Sequence, residues 1–167
     1  MLNHKISLSV KAQDLQDNSR FNPKFFHFVN KSKKIFKSKN FEKVTDFSDK
    51  DFFEKISDGI HSTAVNLIEE GKIRYLYIHN LKDGFVDIVD KLYLDEKDHE
   101  LNKSKELKKG LVLVSVVGTI GNSAIFTDHI KEKCSLPRNI AYIETKKNID
   151  PHYVGIFFLS NFGREQA

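Results

Sequence analysis

The sequence predicts an α+β fold, a mixed and mainly antiparallel sheet with helices at its periphery. Three observations carry that expectation. The run Leu111–Val117 (LVLVSVV) is continuously apolar, rich in β-branched residues and preceded and followed by glycine, the pattern of a strand buried on both faces. Shorter runs at Tyr75–His79, Phe85–Ile88, Ser123–Thr127 and Ile140–Glu144 stand between turn signals, as half-buried strands do. The pairs Asn22-Pro23 and Asp150-Pro151 each place an N-capping side chain before a proline suited to the first helical position.

Taken in order, residues 1–20 are polar and without a clear period, and Met1–Gln13 reads as a short strand or an arm. From Asn22, the residues Phe25, Phe28, Val29 and Phe36 fall near one helical face. Lysines at 24, 31, 33, 34, 37, 39 and 43 occupy the remainder, to face water or a phosphate backbone. Residues 41–56 are mixed. Ser57–His61 reads as a turn, because Asp58-Gly59 tolerates positive φ, and residues 69–72 read as another. The runs 75–79 and 85–88 pair as a hairpin across a longer loop at Asn80–Gly84. Asp95–Lys109 is dense in charge and reads as a short surface helix. Gly118–Asn122 turns tightly into the strand that follows, and Asp150 caps a helix running to Leu159.

Composition bounds the function. The chain has 167 residues, 40% hydrophobic and 30% charged, the balance of one globular domain with a core of its own and not of a disordered chain. Cys134 is the only cysteine, which excludes an internal disulfide and a cysteine-built zinc site. No apolar run approaches the roughly 18 residues that span a bilayer, and residues 1–10 lack a signal peptide's apolar region. The expected location is the cytoplasm, away from membranes. A net charge of +4 and a pI near 9.0 favour a polyanionic partner.

Four constellations have residue types that bear on chemistry. Asp150-Pro151-His152-Tyr153 is similar to the Asp/Asn-Pro-Pro-Tyr motif of amino-methyltransferases, but His152 replaces the second proline and no glycine-rich cofactor loop follows a strand. Asp128 with Glu144-Thr145-Lys146 has the residue types of a magnesium nuclease, in a chain charged enough to produce them by chance. Gly118-Thr119-Ile120-Gly121 matches neither phosphate-loop pattern, so its glycines read first as turn geometry, with a close backbone approach to phosphate as the alternative. The seven histidines show no metal-binding spacing. No catalytic residue, metal or cofactor is expected.

The order of several short motifs resembles the target recognition domain of type I restriction-modification specificity subunits, a domain also fused in type IIG restriction enzymes. They are Arg20–Phe26 (RFNPKFF), Ser57–His61 (SDGIH), Arg74–Gly84 (RYLYIHNLKDG), Lys109–Gly121 (KGLVLVSVVGTIG), Asn139–Ile143 (NIAYI), Asp150–Tyr153 (DPHY) and Phe158–Gln166 (FLSNFGREQ). The likeness covers residues 20–167. It departs from the family pattern at Leu111, where an aspartate often stands, and at the end, where such domains continue into a further strand region and a long helix. The organisation it implies is an N-terminal arm at 1–20 and a recognition domain at 21–167, incomplete at its C-terminus.

The resemblance implies a non-catalytic, DNA-reading subunit or fragment. It would direct a partner methyltransferase (M) subunit and a restriction (R) subunit to double-stranded DNA, pairing with itself or with a second recognition half. The candidate contacts lie on turns and strand ends: His61, Lys72, Arg74, His79, Asn80, Lys82, Arg138 and Asn139. Cations among them would hold phosphates, and polar groups would reach base edges. Two other readings compete. One is the recognition part of a fused methyltransferase-nuclease, and the other is an α+β domain that binds protein and not DNA.

Overall fold

The computed structural model describes residues 47–62 and 64–164. The chain divides into two units, Met1–Thr45 and Asp46–Ala167, and the described residues fall in the second. The expected arm at 1–20 and the expected helix from Asn22 lie outside them.

Among the described residues, ten strands form two sheets. The larger sheet contains β1 (Phe53–Asp58), β4 (Leu81–Lys82), β5 (Gly84–Val86), β7 (Val112–Ser115), β8 (Ser123–Ile125) and β10 (Ile140–Thr145), in the spatial order β1-β10-β7-β8-β5-β4. Its pairings are antiparallel except β5 with β8. The smaller sheet has the order β2-β6-β3-β9 from β2 (Leu67–Ile68), β6 (Tyr93–Leu94), β3 (Ile73–Tyr75) and β9 (Lys133–Ser135), with β3 and β9 parallel. Helix α1 (Glu96–Leu101), helix α2 (Pro151–Leu159) and the short α3 (Asn161–Arg164) complete the α+β architecture.

Strand β7 explains the long apolar run. Val112 and Val114 face one side, with Ile125, Ile143, Val154 and Phe158. Leu113 faces the other, with Ala124, Ile140 and Tyr142. A strand flanked by β10 and β8 and covered on both faces has no solvent side for polar residues. Val112 and Leu113 are fully buried, each contributing about 2 kcal/mol by leaving water.

Helix α2 closes one face. The Asp150 carboxylate accepts from the His152 amide at 2.8 Å, and Pro151 occupies the first turn. Its inner face is Val154, Gly155 and Phe158. Gly155 lets it sit tightly on β8, since a Cβ there would lie 2.9 Å from Ile125 Cδ1. Phe47 stacks on Phe158 at a centroid distance of 5.3 Å.

Three local expectations are corrected. The hairpin is tighter than expected: Leu81 pairs with Val86 and Lys82 with Phe85, across the two-residue turn Asp83-Gly84, both at positive φ (43° and 102°). That is the Asp-Gly turn whose twist suits adjacent strands. Upstream, β3 stops at Tyr75 and the chain makes a 3-10 turn at Ile78–Asn80. Gly59 is not at positive φ. It is required because a Cβ would meet the Leu136 carbonyl oxygen at 2.0 Å, where Ile60 bridges to Pro137. The charged segment does form a short helix capped by Asp95, yet His99 is buried in it, its Nε2 2.9 Å from a Glu106 oxygen. Among the described residues no helix is long and apolar enough to cross a membrane.

Candidate nucleic-acid interface

Register determines which loops meet. Asp58 pairs with Ala141 at the end of β1, Ser115 with Ile140, Val114 with Ser123, and Gly84 with Ala124. One end of the large sheet therefore carries Gly59–His61, Arg138–Asn139, the hairpin loop Val116–Asn122 and the turn at Asp83-Gly84. The loop touches its neighbours on both sides. The Val116 amide donates to the Asn139 carbonyl at 3.0 Å. On the other side, Gly118, Thr119 and Asn122 face Ile78, His79, Leu81 and Lys82 across an open cleft of about 490 Å³.

The loop is held at its base by one side chain. Ser115 is fully buried. Its Oγ donates to the Thr119 carbonyl and accepts from the Asn122 amide at 2.9 Å. Its main chain is bonded to Asn122 O and Gly121 N at 2.9 and 3.0 Å. Gly118 and Gly121 take positive φ, 82° and 85°, which the tight return of the chain demands. The tip stays in water: Val117 is 59% and Ile120 46% exposed.

Five of the eight sequence candidates gather here. Arg138 is exposed and its amide donates to Ile60 O at 3.1 Å. Lys82 is exposed in the cleft. Neither Arg138 nor Lys82 makes an ion pair or side-chain hydrogen bond among the described residues. Asn139 is half-buried, and its amide oxygen has no partner among the described residues. His61 Nε2 lies 2.7 Å from Asp58, and this hydrogen bond holds the Asp58 carboxyl below its usual range. His79 stacks on Tyr77, with centroids 5.7 Å apart, and bonds to Asp90.

The other three are elsewhere or engaged. Lys72 stands at the β2–β3 turn, 2.9 Å from Glu96. Arg74 is buried at 6% exposure. Its guanidinium donates to Asp90 O at 2.6 Å, Tyr93 Oη at 3.0 Å and Glu132 at 2.7 Å, and lies over the Tyr93 ring. Asn80 is buried as well: its Oδ1 accepts from the Tyr77 amide at 2.7 Å and its Nδ2 donates to Asp87 O at 2.8 Å. Both act as structural clips: Asn80 through its two bonds and Arg74 through the two terminal nitrogens of its guanidinium, although the Arg74 Nε has no partner among the described residues.

Sequence reasoning missed Arg164. Helix α2 runs back along the sheet, and α3 brings Arg164 onto the hairpin, its Cγ 2.9 Å from where a Cβ on Gly121 would stand. Its side chain is exposed. The pairing of arginine with the Gly-Thr-x-Gly loop, 43 positions apart by number, left no local signal.

The alternative chemistries find no geometry. Lys146 of the nuclease-like set pairs with Glu54, and Asp150 of the methyltransferase-like set is the cap of α2, its carboxyl held low first by the His152 amide. Cys134 is buried, and burial pushes its thiol up to about 12, which leaves it unreactive at neutral pH. Among the described residues no three histidine, cysteine or acidic side chains are placed to hold a metal ion.

No protein-family model and no curated protein matches the sequence. Among solved structures, the chain is similar to one from a type I R-M system, with a TM-score of 0.49, 12% identity, and coverage of 89% of this chain and 34% of that one. It is also similar to the HsdS subunit from Thermoanaerobacter tengcongensis, with a TM-score of 0.43, 14% identity, and coverage of 67% and 25%. The chain thus spans about a third of the first of these and a quarter of the second.

Proposed function

We propose that this chain is a non-catalytic, sequence-specific DNA-recognition subunit or fragment of a restriction-modification system. It would direct partner methyltransferase and restriction subunits to their target. The observation that carries the reading is the hairpin end of the large sheet. There Lys82 and Arg138 stand exposed, without a side-chain partner among the described residues, on either side of a clamped loop. The order of motifs in the sequence, which resembles a type I target recognition domain, supports the same reading.

Phosphate contacts set register and base contacts set sequence. Lys82, Arg138 and Arg164 are the groups suited to phosphates or to guanine edges. Asn122, beside the cleft, is an amide of the kind that reads adenine, and Asn139 joins it only by turning its buried amide oxygen outward. His61 and His79 are already oriented by Asp58 and Asp90, so they present a ring edge or face in a fixed direction. Lys72, Arg74 and Asn80 are not part of this surface.

The test joins a pull-down against the neighbouring methyltransferase subunit to genome-wide methylation mapping with and without this chain. A short or split motif whose methylation depends on the chain supports the role and gives the target. Unchanged methylation without a stable complex refutes it and brings the protein-binding reading forward.

A further inference from the structure

The tip of the β7–β8 hairpin is apolar where a loop tip is ordinarily polar. Val117 and Ile120 are 59% and 46% exposed, with Val116 beside them at 37%. The tip is not loosely held, since the buried Ser115 ties the loop's two limbs together. Its flanks carry Lys82 on one side and Arg138 on the other, neither answered by an acid among the described residues. Two exposed aliphatic side chains on a clamped ribbon, between two cations that meet no acid among the described residues, fit a surface that is anionic at its edges and apolar at its floor.

Resting on the DNA-reading function above, we propose that this hairpin enters the major groove and that Val117 and Ile120 read thymine by contact with its 5-methyl groups. The major groove admits a two-stranded ribbon, and the thymine methyl is the apolar group displayed on its floor. The minor groove shows no such methyl. Lys82 and Arg138 would then meet the phosphates that line the two sides of the groove. Ser115 and the two glycines would act as positioning residues, fixing the tip before the duplex arrives so that little ordering is lost on binding.

Thymine and uracil differ in this methyl alone, which gives a direct test. Duplexes are selected by the full chain from a random-sequence pool, and the preferred duplex is remade with deoxyuridine in place of thymidine. The wild-type chain is expected to bind the thymine duplex more tightly, by about fourfold for each methyl buried. The Val117→Ser/Ile120→Ser variant is expected to bind both duplexes equally, at the wild-type level on the uracil copy. Lys82→Ala is expected to weaken both duplexes alike and to keep the wild-type ratio.

A wild-type chain that selects no thymine, that binds the two duplexes equally, or whose ratio survives in the double variant overturns the methyl contact while DNA recognition stands. A chain that binds neither duplex, with the circular dichroism of a folded protein, overturns the DNA-reading function and the methyl contact with it.

Discussion

Around the four-stranded sheet, Lys72 faces Glu96, Lys133 faces Glu106, and Arg74 is locked onto Glu132 and two carbonyls. At the hairpin end of the six-stranded sheet, Lys82 and Arg138 face no acid among the described residues. The same residue types, a few positions apart in sequence, are committed to the protein in one region and left available in the other. Strand register makes the difference. β3 lies between β6 and β9, so Arg74 enters an interior with acceptors on three sides. Lys82 and Arg138 stand where strands end.

That contrast is broken most directly at Arg74. Arg74→Ala would leave Glu132 and the Asp90 carbonyl without their donor and is expected to cost about 3 kcal/mol in urea unfolding. Duplex affinity of the folded fraction should be unchanged. A parallel loss of affinity with intact stability would place Arg74 on the DNA after all.

Next in size is Gly121→Ala, which forces a side chain into a left-handed backbone position and against Arg164. It is expected to cost about 1–2 kcal/mol and to weaken DNA binding through the displaced hairpin. Full stability together with full binding would show that the loop is not the mounted element described above.

Lys82→Ala and Arg138→Ala sharpen the contrast from the other side. Each should leave stability within about 0.5 kcal/mol, as exposed sites do, and should reduce duplex affinity by about tenfold at low salt. Loss of a phosphate contact lowers the salt dependence by roughly 0.9 in slope. Loss of a base contact instead removes preference for the specific duplex. For both residues the first result is expected, and a selective loss of preference for the specific duplex would place that side chain on a base edge and not on a phosphate.

The smallest effect is in acid. The hydrogen bond from Arg74 holds the Glu132 carboxyl below its usual value. A lowered folded-state pKa gives stability that is present above the unfolded value and is lost as pH falls through the folded one. Glu132→Gln should therefore lower the neutral-pH urea midpoint and narrow its gap from that at pH 3. An unchanged gap would mean that the pair contributes nothing to acid sensitivity.

What the sequence made legible follows from element length and burial. Strands β7, β8 and β10, helix α2 and its cap are each long or apolar enough to show a pattern, and they form where their residues predict. The strands β2, β6 and β9 have two or three residues, too few to show a period. They exist because they pair with one another and with β3, and Leu67 and Leu94 pack with Ile60, Ile73 and Tyr75 in a small core of their own. Strand β1 hides for another reason: as an edge strand with Glu54 and Lys55 exposed, it lacks the alternation that marks a half-buried one. Of the candidate surface, His61, Lys82, Arg138 and Asn139 were visible as polar residues at turns. Burial of Arg74 and Asn80 was not, since a buried polar residue is recognised only by partners that folding brings to it. Arg164 was hidden because α3 delivers it from the far end of the chain to Gly121.

The Ser115 clamp has a consequence for how such a surface changes over generations. It grips the loop through main-chain carbonyls and amides and through one hydroxyl, and it makes no use of the side chains at 116, 117 and 120. Replacements at those three positions therefore alter what the hairpin meets without altering how it is mounted. A change at Ser115 does the reverse, keeping the chemistry of the tip and releasing its direction. The two properties can be inherited separately, so a new preference needs no new scaffold.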